Sequence, residues 1–250
     1  MEKTYTKKFP LYTFDVDVEG KAHLTVLLNF LQEVARDHAA LLKVSIFDLL
    51  RKGLTWVISR YHIRVLRYPS MGDNVEVTTW PSGKKGVFAL RDFEARDDSG
   101  RLLLEATSSW LVITSDTKQP VKMDTVFLDE SILEKRAIQD GFDRLAGPER
   151  SDFEVSFRVR QKDLDFNRHV NNVAYINWAI EGMPEDVLMA RRPVEIEIVY
   201  KAETLYGEEV LTRVEFPRPG SAEYLHEIVN RESGAELARL KTSWRQLGDS

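Results

Sequence analysis

Apolar residues recur with two periods along this chain, and the periods alternate in blocks. Leu24, Leu27, Leu28, Leu31, Val34 and Ala35 fall at helical spacing and predict a helix with one buried face. Strand-like runs follow at Trp56 to Leu66, Asn74 to Thr79, Val87 to Arg96 and Leu102 to Ile113. The order then repeats. Val173, Ile176, Ile180 and Met183 mark a second helix, with Tyr175 and Trp178 widening its apolar face. Strands are predicted at Val194 to Tyr200, where Val194, Ile196 and Ile198 alternate with glutamates, and then at Glu209 to Glu215, Ala222 to Asn230 and Ala235 to Arg245. Asp98-Ser99-Gly100 and Glu232-Ser233-Gly234 separate the last two strands of each block, as in antiparallel hairpins.

The blocks are two copies of one unit. The first carries Asp15-Val16-Asp17, His23, Gly72-Asp73 and Thr107-Ser108-Ser109-Trp110; the second carries Asp163-Leu164-Asp165, His169, Gly207-Glu208 and Lys241-Thr242-Ser243-Trp244. Gly72 and Trp110 are 38 residues apart, Gly207 and Trp244 are 37. His23 precedes Gly72 by 49 residues but His169 precedes Gly207 by 38, which predicts an insertion of about eleven residues in the first copy, around Asp48 to Gly53. A unit this long points to a duplicated domain rather than a solenoid. The expected organisation is a first domain over 1–127, a charged linker over 128–150 that closes with Gly147-Pro148, and a second domain over 151–250. Helix first and antiparallel strands afterwards gives an α+β class.

Composition narrows the chemistry. The chain has 250 residues, 43% hydrophobic and 30% charged, with a net charge of −5. That excludes a basic field for nucleic acid, and no apolar run reaches the ~18–20 residues of a membrane span. Met1 to Lys8 leads into no signal-peptide apolar core; the expected location is the cytoplasm. Cysteine is absent, which excludes disulfides, thiolate metal sites and a thiol nucleophile.

Lys162 to Asn172 is the densest polar stretch: two carboxylates, three carboxamides and an imidazole immediately before the second helix. Asp165 reads either as a turn or N-cap carboxylate or as part of a site. Asn167 reads as an Asx-turn residue or as a site group. His169 alone is weak, since the first copy keeps His23. If the segment is extended, Asp165, Asn167 and His169 point the same way, which favours a shared site. By period, Glu203 falls in phase with Glu195 and Glu197 on the polar face; a functional role needs a bulge or strand end near Ala202. Asn171 and Asn172 read as caps. Lys7-Lys8, Lys84-Lys85 and Arg191-Arg192 are basic pairs that suit solvent or an acidic partner.

From Asp163 to Trp178 the order D-L-D-x-N-x-H-V-N-N-x-x-Y-I-x-W resembles the acyl-acyl carrier protein thioesterases of bacteria and plants. The likeness continues in Trp56-Val57-Ile58-Ser59-Arg60, Pro69 to Gly72-Asp73, Thr79-Trp80-Pro81 and Tyr200 to Glu203. It implies a tandem (double) hotdog, each unit a long helix wrapped by an antiparallel sheet. It also implies hydrolysis of fatty acyl thioesters on acyl carrier protein, with release of free acid and termination of fatty acid synthesis. The catalytic set it implies is Asp165, Asn167, His169 and Glu203: Glu203 as base toward water, Asn167 positioning water or carbonyl, His169 assisting, and Asp165 fixing their geometry. Many plant relatives carry a Cys at the position of Thr204 here. No cofactor or metal is called for. The partner is acylated acyl carrier protein, and a homodimer is one assembly the reading allows. Aligned on Gly72 and Gly207, Tyr68 stands at the position of Glu203; aligned on the histidines, Lys21 stands at that of Asn167. The second copy is therefore expected to be catalytic, and the first to hold the acyl chain on Leu27, Leu28, Leu31 and Ala35. Two other functions fit these residues: an acyl-CoA thioesterase, and a non-catalytic acyl-binding hotdog protein. A hotdog dehydratase lacks its His-Phe-Pro-type signature here.

Overall fold

The computed structural model describes residues 2–126, 129–217 and 222–248. The chain divides into two compact units, Met1–Asp140 and Gly141–Ser250. The expected boundary between residues 127 and 128 lies outside the described residues.

In the first unit the elements are β1 (Tyr5–Pro10), α1 (Leu24–Leu41), α2 (Ile46–Leu50), β2 (Leu54–Val65), β3 (Asn74–Lys85), β4 (Phe88–Arg96) and β5 (Leu102–Thr114). The strands form an antiparallel sheet in the order β1-β3-β4-β5-β2. The second unit repeats this plan with β6 (Phe153–Arg158), α3 (Asn172–Glu181), α4 (Glu185–Ala190), β7 (Arg191–Tyr200), β8 (Glu209–Glu215), β9 (Glu223–Asn230) and β10 (Glu236–Gln246), its sheet running β6-β8-β9-β10-β7. In each unit the principal helix lies against the antiparallel sheet, the hotdog arrangement, and the class is α+β. No helix among the described residues is long and apolar enough to cross a membrane.

The long helix α1 buries Leu24, Leu27, Leu28, Leu31, Val34 and His38, so the apolar stripe continues one turn beyond the expected face. Leu28 and Leu31 are fully buried, and each contributes about 1.5–3 kcal/mol by transfer from water. The second helix is shorter than its sequence pattern suggests. It stops at Glu181 because Pro184 has no N–H to extend the ladder and disfavours a helical Met183; Gly182 lies against β8, where a Cβ would meet Thr212 Cγ2 and the Trp178 carbonyl oxygen at 2.8 Å. Met183 is buried just past this stop, packed with Val214, Tyr224 and Trp244. The extra residues of the first copy therefore lie mainly in the helix, 18 residues against 10, rather than around Asp48 to Gly53.

Strands β1 and β6 carry no sequence expectation above. Both pair on one side only, β1 with β3 and β6 with β8. Their inward residues alternate with exposed ones.

The stretch expected as a linker is strapped to both units by hydrogen bonds. In the first unit the Leu133 N–H donates to the Pro81 carbonyl (2.9 Å), and the Trp80 indole N–H to that of Lys135 (2.7 Å). The fully buried Asp92 carboxylate accepts from the Ala137 N–H (2.9 Å) and from Arg136 Nε (3.2 Å). In the second unit Arg239 donates to the Leu145 carbonyl (3.1 Å), and buried Glu215 accepts from the Glu149 N–H (2.5 Å). Backbone groups in this stretch thus find protein partners, as groups removed from water must.

Candidate active site

Asp163 to Asn171 does not run extended, as the alternation argument requires, but folds into a tight turn. Leu164 and Val170 pair across it. The Asp165 N–H donates to the His169 carbonyl (2.8 Å), the Arg168 N–H to that of Asp165 (3.0 Å), and Arg168 adopts a left-handed φ of 66°. The Asp165 carboxylate closes the turn: Oδ1 accepts from the backbone N–H of Asn167 (2.8 Å) and of His169 (3.1 Å), while Oδ2 lies 3.5 Å from Asn167 Nδ2. Asp165, Asn167 and His169 are thus brought together by a carboxylate-held turn, with Asp165 acting on its neighbours through their backbone. Buried Asp163 anchors the base by accepting from the Arg160 N–H (2.8 Å).

Glu203 reaches this turn because its strand ends first. β7 stops at Tyr200, and the Leu237 carbonyl then accepts from both Lys201 N–H (2.8 Å) and Ala202 N–H (3.2 Å). That irregularity releases Glu203 from the polar phase of β7. His169 Nδ1 and Glu203 Oε1 face one another at 3.5 Å, with side chains 48% and 61% exposed. The separation is too long for a strong hydrogen bond.

Two tyrosines lock strand end to helix start. Buried Tyr175 of α3 directs its hydroxyl at the Ala202 carbonyl (3.5 Å), and Tyr200 donates to the Asn172 carbonyl (3.1 Å); their rings meet edge to face at 5.7 Å. Burial pushes the Tyr175 phenol well above its ordinary range. Neither tyrosine stands out in the sequence as a site residue, because the contact depends on how helix and strand meet. Thr204 is buried, and its hydroxyl donates to Glu208 Oε2 (2.6 Å). Glu208 also accepts from the Leu205 N–H (3.0 Å) and Asn230 Nδ2 (2.9 Å); these bonds, Thr204 foremost, hold its carboxyl below the usual range.

Asn171 is the N-cap of α3, accepting from the Val173 N–H at Oδ1 (3.0 Å) and from the Ala174 N–H at its carbonyl (2.9 Å). N–H groups at a helix start can serve an oxyanion, but these two are committed to the cap. Asn172 is the first helical residue, not a cap.

The first unit builds the same turn with other side chains. Asp17 N–H donates to the Lys21 carbonyl (2.8 Å), Gly20 N–H to that of Asp17 (2.9 Å), and the Asp17 carboxylate accepts from the N–H groups of Glu19 (2.9 Å) and Lys21 (3.1 Å). Gly20 has the left-handed φ, 71°. The Leu103 carbonyl accepts from both Leu66 (2.9 Å) and Arg67 N–H (3.1 Å), as Leu237 does in the second unit. By these bonds Lys21 corresponds in position to His169, Glu19 to Asn167 and Tyr68 to Glu203. His23 is the N-cap of α1, as Asn171 is of α3. The histidine alignment is thus two residues out. The signal was available: six residues separate Asp17 from His23, but four separate Asp165 from His169.

Comparison with known proteins agrees with this architecture. The chain belongs to the acyl-ACP thioesterase family: residues 2–130 match its N-terminal domain and residues 147–246 its C-terminal domain. It is accordingly a thioester hydrolase. It is 26% identical to an oleoyl-acyl carrier protein thioesterase from Arabidopsis thaliana, over 97% of this chain and 77% of that protein. Against an acyl-[acyl-carrier-protein] hydrolase from Cuphea viscosissima it is 28% identical, over 97% of this chain and 62% of that one. The crystal structure of an acyl-ACP thioesterase from Bacteroides thetaiotaomicron is similar with a TM-score of 0.86 and 25% identity, covering 97% of this chain and 98% of that one.

Proposed function

We propose that this chain hydrolyses fatty acyl thioesters carried on acyl carrier protein, releasing free acid and carrier and so ending chain elongation. The observation that carries the reading is His169 facing Glu203 at 3.5 Å beside a turn tied by Asp165. In this reading Glu203 takes a proton from water, whose oxygen attacks the thioester carbonyl carbon. The carbon–sulfur bond then breaks, and the thiolate leaves with a proton delivered through His169. Asn167 positions the water or the carbonyl; with the Val173 and Ala174 N–H groups already capped, its carboxamide is a donor left at the turn. Positioned acid–base groups of this kind contribute about 10²–10⁴-fold.

The second unit carries the chemistry, and the first houses the acyl tail along Leu27, Leu28, Leu31 and Ala35. Each methylene accommodated contributes about 0.8 kcal/mol, so two carbons shift preference by roughly tenfold. The cytoplasm is the proposed place of action, within lipid synthesis.

The test is a ladder of acyl-acyl carrier protein substrates, with free acid measured at each length and the same acyl groups offered on CoA. Carrier-dependent release is expected, with Leu31→Ala and Ala35→Leu shifting the product profile more than the total rate. Release from neither carrier at any length would leave an acyl-binding protein; equal release from both would make it an acyl-CoA thioesterase as well.

A further inference from the structure

The matched turns provide an internal control for surface charge. Residues 158–168 of the second unit contain four basic residues, Arg158, Arg160, Lys162 and Arg168, and two acidic ones, Asp163 and Asp165. Residues 10–20 of the first unit follow the same hydrogen-bonded path and contain no basic residue and three acidic ones, Asp15, Asp17 and Glu19. Position by position, Arg158 replaces Pro10, Arg160 replaces Tyr12, Lys162 replaces Phe14 and Arg168 replaces Gly20. The fold needs none of these cations, since the first unit builds the turn without them.

All four are exposed. Arg160 is tied to Asp163 (Nε to Oδ2, 3.3 Å), but Arg158, Lys162 and Arg168 have no carboxylate partner among the described residues. Three of the basic residues picked out by sequence behave differently: Lys7 bonds Asp37, Lys8 bonds Asp98 and Lys84 bonds Asp124. Arg158 lies beside Gly207, on the turn that follows Glu203, and Arg168 is flanked by Asn167 and His169. Phe166, between Lys162 and Arg168 in the chain, is 65% exposed. Arg168 also holds a left-handed backbone where the first unit uses glycine, a conformation that disfavours a side chain. A strained arginine between two residues of the candidate site points to a task for its side chain.

We propose that Arg158, Lys162 and Arg168, with Phe166, form the docking surface for the acidic face of the acyl-bearing carrier protein. The proposal rests on the thioesterase reading and names where the carrier sits. A chain with net charge −5 repels an acidic partner at long range. A local cationic rim reverses the field at the site and orients the encounter.

The experiment uses the full chain and the Arg158→Glu/Lys162→Glu double variant. Each is assayed with acyl-carrier substrate and with the same acyl group on uncharged N-acetylcysteamine, and the Kd for unacylated carrier is measured by titration. Expected is a fall in carrier kcat/KM of about tenfold or more, a matching rise in Kd, weaker salt dependence, and an unchanged rate on the small substrate. Arg168→Gly should raise Tm while lowering carrier kcat/KM. Unchanged Kd and carrier kcat/KM in the double variant would overturn the docking surface and leave the thioesterase reading intact. Equal loss on both substrates would also overturn it, placing the cations in the site itself. A parent chain that hydrolyses neither substrate defeats the thioesterase reading, and Kd then judges the surface alone.

Discussion

In the first unit the turn before the long helix is closed by Asp17, whose carboxylate accepts from two backbone N–H groups at 2.9 and 3.1 Å. In the second, Asp165 closes the matching turn with bonds of 2.8 and 3.1 Å. The backbone path is shared, and so is the carbonyl that takes two N–H groups where the following strand ends. What differs is everything the turn presents. The first copy shows Glu19, Gly20 and Lys21, and Lys21 Nζ bonds Ser70 Oγ at 2.9 Å. The second shows Asn167, Arg168 and His169, with Glu203 opposite. An aspartate that holds the scaffold is thus separable from the groups that use it, and duplication makes the separation visible within one chain.

The sharpest way to break this comparison is to remove the presented groups at matched positions. His169→Ala and Glu203→Gln should each lower kcat by roughly 10²-fold or more, with Tm little changed because both side chains are about half exposed. Lys21→Ala and Tyr68→Ala, the true counterparts, should leave kcat within about twofold. Steady-state rates on one acyl-carrier substrate check it. A comparable loss at Lys21 would mean that the first turn also serves the reaction.

The next effect is smaller and separates scaffold from chemistry. Asp17→Ala and Asp165→Ala each strip two backbone N–H groups of their acceptor, at a cost of about 1–2 kcal/mol for partly exposed charge-assisted bonds. Denaturant midpoints should fall alike in the two variants. Only Asp165→Ala should also lower kcat, since Asn167 and His169 lose the turn that aims them. If Asp165→Ala kept full activity at the same stability loss, the turn would not be what positions them.

How far the sequence reaches is clear from particular residues. Helices and inner strands were legible because burial imposes a period, as in Leu24 to Val34 and Val194 to Ile198. The strand β1 was missed because Lys7 and Lys8 interrupt a short run that pairs on one side only. The end of α3 is overrun by the apolar period, which Met183 keeps, although Pro184 beside it cannot continue a helix. The candidates Asp165, Asn167, His169 and Glu203 can be picked out by type and spacing, but their geometry cannot: the turn is bent and the link to Ala202 runs through Tyr175. The cations at 158, 160, 162 and 168 are spread along the chain, so a search for adjacent basic residues passes over them.

The smallest effect tests the alignment itself. Asn171 caps α3 with its side chain, accepting from the Val173 N–H at 3.0 Å, while His23 occupies the same place on α1 with extended backbone and no side-chain bond to the helix. Asn is a good N-cap because its short carbonyl reaches the first-turn N–H groups; the larger imidazole in this orientation does not. His23→Asn should therefore stabilise the chain by about 0.5–1 kcal/mol, and Asn171→Ala should destabilise it by about 1 kcal/mol. For a chain of this size these correspond to a Tm rise of roughly 1–4 °C for the first and a fall of roughly 2–4 °C for the second. The rate discriminates further. If His23 is a cap and not the partner of His169, His23→Asn leaves kcat untouched while Tm rises. A fall in kcat with the higher Tm would put His23 back among the reacting groups and undo the two-residue correction to the repeat.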